Sequence, residues 1–292
     1  MIAEVLHSLK LTPDEPVAAL ESRSGAGLHP VRTAAGEPAF LKVTPAALGA
    51  DARAAAGREL RFYTEIAPAV PIRVPRLLDV AETSEGVALL LEKTGKTVDV
   101  RSWTPPLWTA LGRDLAALHE VAVPSGWFRP DGLAESLDAP DLSVAQRFWE
   151  PSLARVTDLI AGRDALVKAM EAVPAVFVHG DCHTENIVVD GDTLVLLDWQ
   201  VCGPGRPSGD LAFPNVRAMP AGVTAPAELL DSYLRHRPDD RATLELAILA
   251  EELSMYVFQW PPFAAYNTPS GVQRVRRRAT ELAARWFAET SA

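Results

Sequence analysis

The segment 177-FVHGDCHTENIVVDGDTLVLLDWQ-200 places carboxylates, histidines and an asparagine between short apolar runs. Three runs in and around it have the length and side-chain type of β-strands: 175–178, 187–189 and 194–197. Asp190-Gly191, between the last two runs, is a strong hairpin-turn signal. The segment therefore predicts a strand, a polar loop and a hairpin.

Three polar residues of this segment have the order and spacing of a phosphotransferase site. Asp181 is followed five positions later by Asn186 on the loop, and Asp198 comes directly after a strand. The hairpin can fold back beside the loop. Phosphoryl transfer needs a carboxylate that accepts or orients the substrate hydroxyl proton, and oxygen ligands for Mg²⁺. Asp181 fits the first requirement, and Asn186 and Asp198 fit the second.

The same loop also supports a competing hypothesis, a hydrolase with a metal site. His179, Asp181 and His183 alternate, which on a strand points them to one face, and sets of His and Asp bind zinc or manganese. Gly180 interrupts such a strand, however. The other histidines are scattered along the chain: His7, His29, His119 and His236. We therefore interpret His179 as a residue that fixes the loop through backbone hydrogen bonds, and His183 as a neighbour of the site without a firm role.

Composition limits the remaining classes of protein. The 292 residues are 48% apolar and 23% charged, which is enough to bury one large core or two smaller ones. The formal charge of −10 argues against a nucleic-acid partner, which normally requires a basic face.

We see no signal peptide, and the longest apolar run, 87-VALLL-91, is far below the ~20 residues that span a bilayer. We expect a cytoplasmic protein that does not bind a membrane. Its two cysteines, Cys182 and Cys202, are interpreted as small semi-buried thiols.

The chain changes character near residue 94. Residues 1–93 are rich in strand signals, including 39-AFLKV-43, whereas residues 94–292 are mainly helical by pattern. Thr104-Pro105 is a plausible N-cap and first helical position. Residues 124–150, which contain several prolines, are predicted to be loop-rich. The pattern indicates an α+β fold with two lobes and a cleft between them.

With these features together, the sequence resembles the aminoglycoside phosphotransferase and choline-kinase-like branch of the protein-kinase-like fold. The residues that carry the resemblance are 179-HGDCHTEN-186 and 195-VLLDWQ-200, where the family has a His-Gly-Asp catalytic loop with Asn and then an Ile/Leu-Asp-Trp/Phe motif. Lys42 in a strand and Glu59 in a following helix agree with the family's order, and 208-SGDLAF-213 is similar to its Asp-Leu-Ala segment. The resemblance extends from about residue 20 to at least residue 215.

The resemblance implies a two-lobed protein-kinase-like fold with a strand-rich nucleotide-binding lobe (1–93) and a mainly helical catalytic and substrate-binding lobe (94–292). It also implies a role for each matching residue. Asp181 would be the catalytic base, while Asn186 and Asp198 would hold Mg²⁺ on the triphosphate. The other implied roles are Lys42 on the α- and β-phosphates, Glu59 holding Lys42, the backbone around Glu92 and Thr94 on the purine, Asp210 bracing the catalytic loop, and 22-SRSGAGLHP-30 covering the phosphates.

Two of these assignments have ordinary alternatives. Lys42 would otherwise be a strand lysine whose stem lies along a half-buried face while its charge reaches water. Glu59 would otherwise be an exposed helix residue paired with Arg58 or Arg61. Trp199, next to Asp198, is interpreted as core packing.

A possible substrate pocket includes His183 and part of the segment 248-ILAEELSMYVFQW-260. Its candidate residues in that segment are Glu251, Glu252, Tyr256 and Trp260. The same positions fit an ordinary amphipathic helix, which is the interpretation we favour.

The sequence therefore predicts a small-molecule O-phosphotransferase that moves the γ-phosphoryl group of ATP or GTP, with Mg²⁺, to a substrate hydroxyl. The resemblance favours an antibiotic as the acceptor, either an aminoglycoside or another hydroxyl-rich natural product such as a nucleoside antibiotic, and hence a role in resistance. The alternatives are a kinase of a choline-like amino alcohol, a sugar or an amino acid, and a catalytically inactive nucleotide-binding pseudokinase module. We expect a monomer or a homodimer.

Overall fold

The computed structural model describes residues 2–14, 20–21 and 27–290, with only the backbone of residues 20 and 21. The chain has a mixed α+β fold made of two compact units. The first unit is Met1–Lys96 with Val188–Cys202, and the second is Thr97–Ile187 with Gly203–Ala292. The predicted lobes, 1–93 and 94–292, are defined by the ligands that they bind, whereas the two units are defined by packing. The division into lobes therefore stays a prediction.

The first unit is built on a six-stranded sheet. Its elements are α1 (Ile2–Ser8), β1 (Thr12–Pro13), β2 (Leu20–Glu21), β3 (Gly27–Arg32), β4 (Pro38–Pro45), α2 (Ala50–Arg61), β5 (Leu77–Thr83) and β6 (Gly86–Glu92). The strand order is β1-β3-β4-β6-β5, with β2 paired to β3, and every pair is antiparallel. This sheet confirms the predicted strand-rich character of the N-terminal residues.

Strand β4 shows why the sheet separates apolar from charged side chains. Successive side chains of a strand point to opposite faces. Ala39, Leu41 and Val43 are at most 1% exposed and face a core that also contains Val5 of α1. Lys42 lies between Leu41 and Val43 in the strand, so its side chain points to the other face.

The predicted hairpin is present in a second, three-stranded sheet. Its strands are β7 (Lys96–Thr97), β9 (Ile187–Asp190) and β10 (Thr193–Leu196), in the order β10-β9-β7. Gly191 in the turn has a φ of 60°, a left-handed conformation that glycine adopts at little cost. The Asp190-Gly191 signal is therefore confirmed.

The second unit is mainly helical. Its elements are α3 (Pro105–His119), α4 (Gly132–Asp138), α5 (Leu142–Trp149), α6 (Val156–Ala161), α7 (Arg163–Glu171), β8 (Val176–Val178), β11 (Gly203–Gly205), α8 (Pro207–Ala218), α9 (Ala227–His236), α10 (Arg241–Ser254) and α11 (Pro269–Thr290). Strands β8 and β11 form a short antiparallel pair. The helices bury a large core around Trp149, Tyr256 and Trp286. None of the helices in the described ranges combines the length and apolar content needed to cross a membrane.

The prediction of a loop-rich stretch at 124–150 is wrong, because α4 and α5 lie within it. Each helix follows an aspartate whose side chain accepts a backbone N–H bond: Asp131 from Ala134, and Asp141 from Val144. Such N-caps stabilise a helix by roughly 1 kcal/mol. The prolines at 130 and 140 precede these caps, so they mark the boundaries of the helices rather than a loop.

Candidate active site

Lys42 is the centre of a charge cluster in the first unit. Its Nζ donates hydrogen bonds to Glu59 Oε1 and to Asp198 Oδ1, each at 2.9 Å. The side chain of Lys42 is only 10% exposed and that of Glu59 is 1% exposed. Burial by itself lowers the pKa of Lys42, but the two carboxylates outweigh burial and leave the pKa above its usual value. Lys42 is therefore held as a cation.

The two ordinary alternatives for Lys42 and Glu59 do not describe the structure. Lys42 ends on the carboxylates of buried Glu59 and half-buried Asp198, and its own side chain is only 10% exposed. The neighbouring arginines have other partners, since Arg58 donates to the backbone carbonyl of Gln200 and Arg61 donates to Glu65. Glu59 is thus placed to hold Lys42.

Asp198 has an unusual backbone. Its φ is 63°, and in the described part of the chain Lys10 is the other non-glycine residue with a positive φ. A left-handed conformation costs roughly 1–2 kcal/mol for most residues, although Asp and Asn tolerate it better than others. Trp199 is fully buried and its ring stacks on Phe62 at 3.8 Å. Trp199 is therefore core packing, as predicted, and its indole N–H donates to the backbone carbonyl of Leu196.

The side chains at the predicted purine-binding segment have partners within the first unit. Glu92 accepts hydrogen bonds from Arg73 at 2.9 Å and from the backbone N–H of Arg76 at 3.1 Å. The Thr94 hydroxyl donates to Asp190 at 2.9 Å. The predicted role belongs to the backbone of this segment and stays a prediction. Most of the predicted phosphate-covering loop, residues 22–26, lies outside the described residues.

In the second unit, Asp181 and Asn186 form one hydrogen-bonded pair. The Asn186 side-chain nitrogen donates to Asp181 Oδ2 at 2.9 Å and to the Asp181 backbone carbonyl at 3.0 Å. The Asp181 side chain is 37% exposed, so its carboxylate is open to solvent. Because the nitrogen of Asn186 is committed to Asp181, its amide oxygen is the atom left to ligate a cation.

Asp210 holds the backbone of the loop that carries Asp181. Its carboxylate is 1% exposed and accepts the N–H of His179 at 2.7 Å and of Gly180 at 2.8 Å. His179 in turn accepts the Asp181 N–H on Nδ1 at 3.2 Å. Burial tends to raise the pKa of Asp210, but hydrogen bonds from His119 and Gly180 outweigh it and hold the pKa below its ordinary value. The supporting roles predicted for Asp210 and His179 are compatible with these contacts and stay predictions.

His119 is a residue of this site that sequence reasoning missed. Its Nε2 lies 3.2 Å from Asp210 Oδ2 and its Nδ1 lies 3.0 Å from the Tyr233 hydroxyl. The ring is 2% exposed. His119 is 91 positions from Asp210, and a histidine at a helix end carries no spacing signal that would connect them.

We expect Asp210→Ala to lower the free energy of unfolding by roughly 1–3 kcal/mol for each donor that loses its acceptor. The substitution leaves the N–H groups of His179 and Gly180 without their acceptor. Because the pKa of Asp210 is lowered by folding, its contribution is fully present above about pH 4 and is lost as pH falls further. Urea unfolding followed by circular dichroism at pH 7 and pH 3 measures both effects.

The control for this experiment is Asp192→Ala, because Asp192 is exposed. A surface substitution of this kind changes stability by about 0.5 kcal/mol or less. Equal losses for the two variants, or a loss for Asp210→Ala that does not shrink in acid, would contradict the assigned role of Asp210.

The contacts of the histidines argue against the metal-hydrolase hypothesis. His179 is fully buried and its Nδ1 is occupied by the Asp181 N–H. His183 accepts the backbone N–H of Glu185 on its own Nδ1. No three His, Cys, Asp or Glu side chains in the described ranges are grouped so that they could hold a metal ion.

The side chains proposed for a substrate pocket on α10 and the segment after it are buried. Their exposed fractions are 0% for Glu251, 2% for Glu252, 0% for Tyr256 and 5% for Trp260. Glu251 pairs with Arg206, and Glu252 accepts two bonds from Arg278 at 2.8 and 2.9 Å. An ordinary amphipathic helix turns its charged residues to solvent, so the two buried glutamates do not fit that interpretation. The substrate role of the four residues stays a prediction.

The two cysteines are buried and are not joined to each other in a disulfide. Burial, together with the charges of Asp210 and Asp181, raises the pKa of the Cys182 thiol well above its usual value. A neutral buried thiol is unreactive, in keeping with the interpretation of these residues as small packing groups.

The model of the phosphotransferase enzyme family matches residues 30–246 of the chain. The match covers most of the 292 residues, and the chain belongs to this family. No curated protein sequence gives a significant match.

Solved structures with the same fold come from several kinds of kinase. Aminoglycoside phosphotransferase APH(3'')-Id from Streptomyces rimosus is 21% identical, with a TM-score of 0.54 over 87% of this chain and 96% of that one. A choline/ethanolamine kinase family protein from Mesorhizobium loti is 17% identical, with a TM-score of 0.62 over 98% and 94%. The amicoumacin kinase hAmiN, in complex with AMP-PNP, Ca²⁺ and Ami, is 14% identical, with a TM-score of 0.62 over 96% and 92%. At these identities the likeness establishes the protein-kinase-like fold.

Proposed function

We propose that this phosphotransferase moves the γ-phosphoryl group of ATP or GTP to a hydroxyl of a small molecule. The observation that carries the proposal is the position of Lys42, whose Nζ lies 2.9 Å from both Glu59 and Asp198. A lysine held as a cation between two carboxylates of different exposure suits the binding of nucleotide phosphates.

The two carboxylates around Lys42 are suited to different tasks. Glu59, at 1% exposed, fixes the lysine, whereas the Asp198 side chain is 34% exposed and can bind a further cation. Mg²⁺ prefers oxygen ligands, and the carboxylate of Asp198 and the amide oxygen of Asn186 are both of that type. When bound, Mg²⁺ would neutralise charge that develops on the transferred phosphoryl group.

Asp181 is assigned as the residue that orients the acceptor hydroxyl and takes up its proton. The bond from Asn186 fixes its carboxylate, and Asp210 fixes the backbone before it. A positioned proton acceptor of this kind contributes roughly 10²–10⁴-fold to the rate. The protein's main contributions are thus position and charge, since phosphoryl transfer leaves little covalent chemistry to the enzyme.

The acceptor we propose is an antibiotic with several hydroxyl groups, an aminoglycoside or another natural product such as a nucleoside antibiotic. The phosphotransferase from Streptomyces rimosus and the amicoumacin kinase, both similar in fold, support this class. The choline/ethanolamine kinase family protein, also similar in fold, supports amino alcohols as the second class of acceptor. Phosphorylation of an antibiotic by a cytoplasmic enzyme would confer resistance.

A nucleotide-consumption screen tests the proposal. The purified protein is incubated with Mg²⁺, with ATP or GTP, and with panels of antibiotics, amino alcohols and sugars, and product formation is followed by mass spectrometry. We expect acceptor-dependent consumption with a mass increase of one phosphoryl group. Nucleotide binding without turnover on any panel would instead support the inactive nucleotide-binding module.

A further inference from the structure

The loop that carries Asp181 directs a second polar side chain towards the Asp181 carboxylate. His183 Nε2 lies 3.7 Å from Asp181 Oδ2, the same oxygen that accepts the Asn186 hydrogen bond. The His183 side chain is 8% exposed, and its ring packs edge to face on Phe213, with 5.7 Å between ring centroids. The imidazole is thus held in place by packing.

The hydrogen bond at the other nitrogen of the ring determines which tautomer His183 adopts. Its Nδ1 accepts the backbone N–H of Glu185 at 3.2 Å. The lone pair of Nδ1 is therefore in use, and the neutral ring carries its proton on Nε2. The Glu185 carboxylate, 3.7 Å from Nδ1, is itself paired with Arg217. The nitrogen that faces Asp181 is thus a donor.

The Asp181 carboxylate has a loose torsion that its neighbours can restrict. The χ2 torsion of aspartate is broad, because it joins a tetrahedral carbon to a planar carboxylate. The Asp181 side chain is also 37% exposed, so packing alone does not fix it. The Asn186 amide donates to Oδ2 at 2.9 Å, and His183 Nε2 lies 3.7 Å from the same oxygen.

We propose that His183 is a positioning residue for Asp181, an inference that rests on the proposed function. Its Nε2–H acts on Asp181 Oδ2 directly after a small approach of the two groups, or through one water, since 3.7 Å exceeds a hydrogen-bond distance. Catalytic contacts commonly tighten when substrate binds. The imidazole sets the angle at which the carboxylate meets the acceptor hydroxyl.

Two substitutions separate this role from a structural one. The side-chain nitrogen of glutamine reaches the place of Nε2, so His183→Gln keeps the donor to Asp181 and disturbs the bond to Glu185. The oxygen of asparagine reaches the place of Nδ1, so His183→Asn keeps the bond to Glu185 and loses the donor. Thermal unfolding midpoints and kcat and KM values, with the acceptor found by screening, are measured for both.

We expect His183→Asn to lower kcat by up to about 10²-fold with little change in the KM for nucleotide, and His183→Gln to retain most of the activity, because misplacement of a catalytic group by about 1 Å has an effect of that size. Activity should not follow the unfolding midpoints. Activities that fall in the same order as the midpoints, or a more active His183→Asn, would overturn the proposal.

A spectroscopic measurement tests the contact without any acceptor. In the ¹⁵N-labelled full chain, the ring nitrogens of His183 should show the Nε2–H tautomer. Asp181→Asn should shift the Nε2 signal, whereas Asp192→Asn, at an exposed position of the hairpin, should not. A proton on Nδ1, or a signal insensitive to Asp181→Asn, overturns the inference. If the wild type transfers phosphate to no acceptor, the proposed function fails. This measurement still decides whether the His183 ring interacts with the Asp181 carboxylate.

Discussion

Asp181→Asn is expected to reduce phosphoryl transfer by about 10²–10⁴-fold, the usual contribution of a positioned proton acceptor. Asparagine has the shape of aspartate and can still accept the Asn186 bond through its oxygen, but it is a far weaker proton acceptor. Nucleotide affinity should change little, because the predicted phosphate contact is Lys42. Turnover with the acceptor found by screening and a Kd for nucleotide from calorimetry give the two numbers.

The matched control is Asp192→Asn, which removes one negative charge from an exposed position in the same polar segment. It should leave both turnover and nucleotide affinity at the wild-type level. If Asp181→Asn also kept near-normal turnover, the assignment of Asp181 would be wrong. A fall in nucleotide affinity as large as the fall in turnover would point to a binding role instead.

Local spacing explains the parts of the fold and site that the sequence predicts best. The hairpin at Asp190-Gly191 depends on turn residues and short apolar runs that are adjacent in the chain. The Asp181–Asn186 pair spans only five positions of one loop. In both cases, the backbone brings the groups together with little help from distant residues.

Long-range contacts were predictable only where the family resemblance supplied them. Lys42 and Asp198 are 156 positions apart; the resemblance implied roles on the nucleotide for both, but it did not predict the hydrogen bond between them. The pairing of His119 with Asp210 was missed for the same reason, since the resemblance assigned no role to His119. The stretch 124–150 carries two opposing signals, since its prolines favour loops while the aspartates that follow two of them cap helices.

The two partners of Lys42 differ in exposure, and this difference distinguishes a structural residue, Glu59, from a candidate metal ligand, Asp198. Removing a partner from a buried ion pair usually costs stability, because the remaining charge is left uncompensated. Glu59, whose side chain is 1% exposed, is such a buried partner, whereas the Asp198 side chain is 34% exposed and remains accessible to a cation. Its left-handed backbone, with a φ of 63°, is a feature often found at functional sites. Asp198 is therefore the better position at which to test metal binding without unfolding the first unit.

Asp198→Asn is expected to raise the Kd for the Mg²⁺-nucleotide complex by at least about 10–100-fold. Mutation of a residue that only supports a metal ligand already lowers metal affinity by that factor. Asparagine tolerates the left-handed backbone, so the change removes the charge and preserves the conformation. Lys42 keeps Glu59 as its partner, so the unfolding midpoint should change little.

The Kd for nucleotide measured with and without Mg²⁺ isolates the effect. In the wild type, Mg²⁺ should strengthen binding, and in the variant this gain should largely disappear. A variant with the full Mg²⁺ gain would exclude Asp198 as a metal ligand, while an equal loss in the Asp192→Asn control would show that the effect is one of general charge.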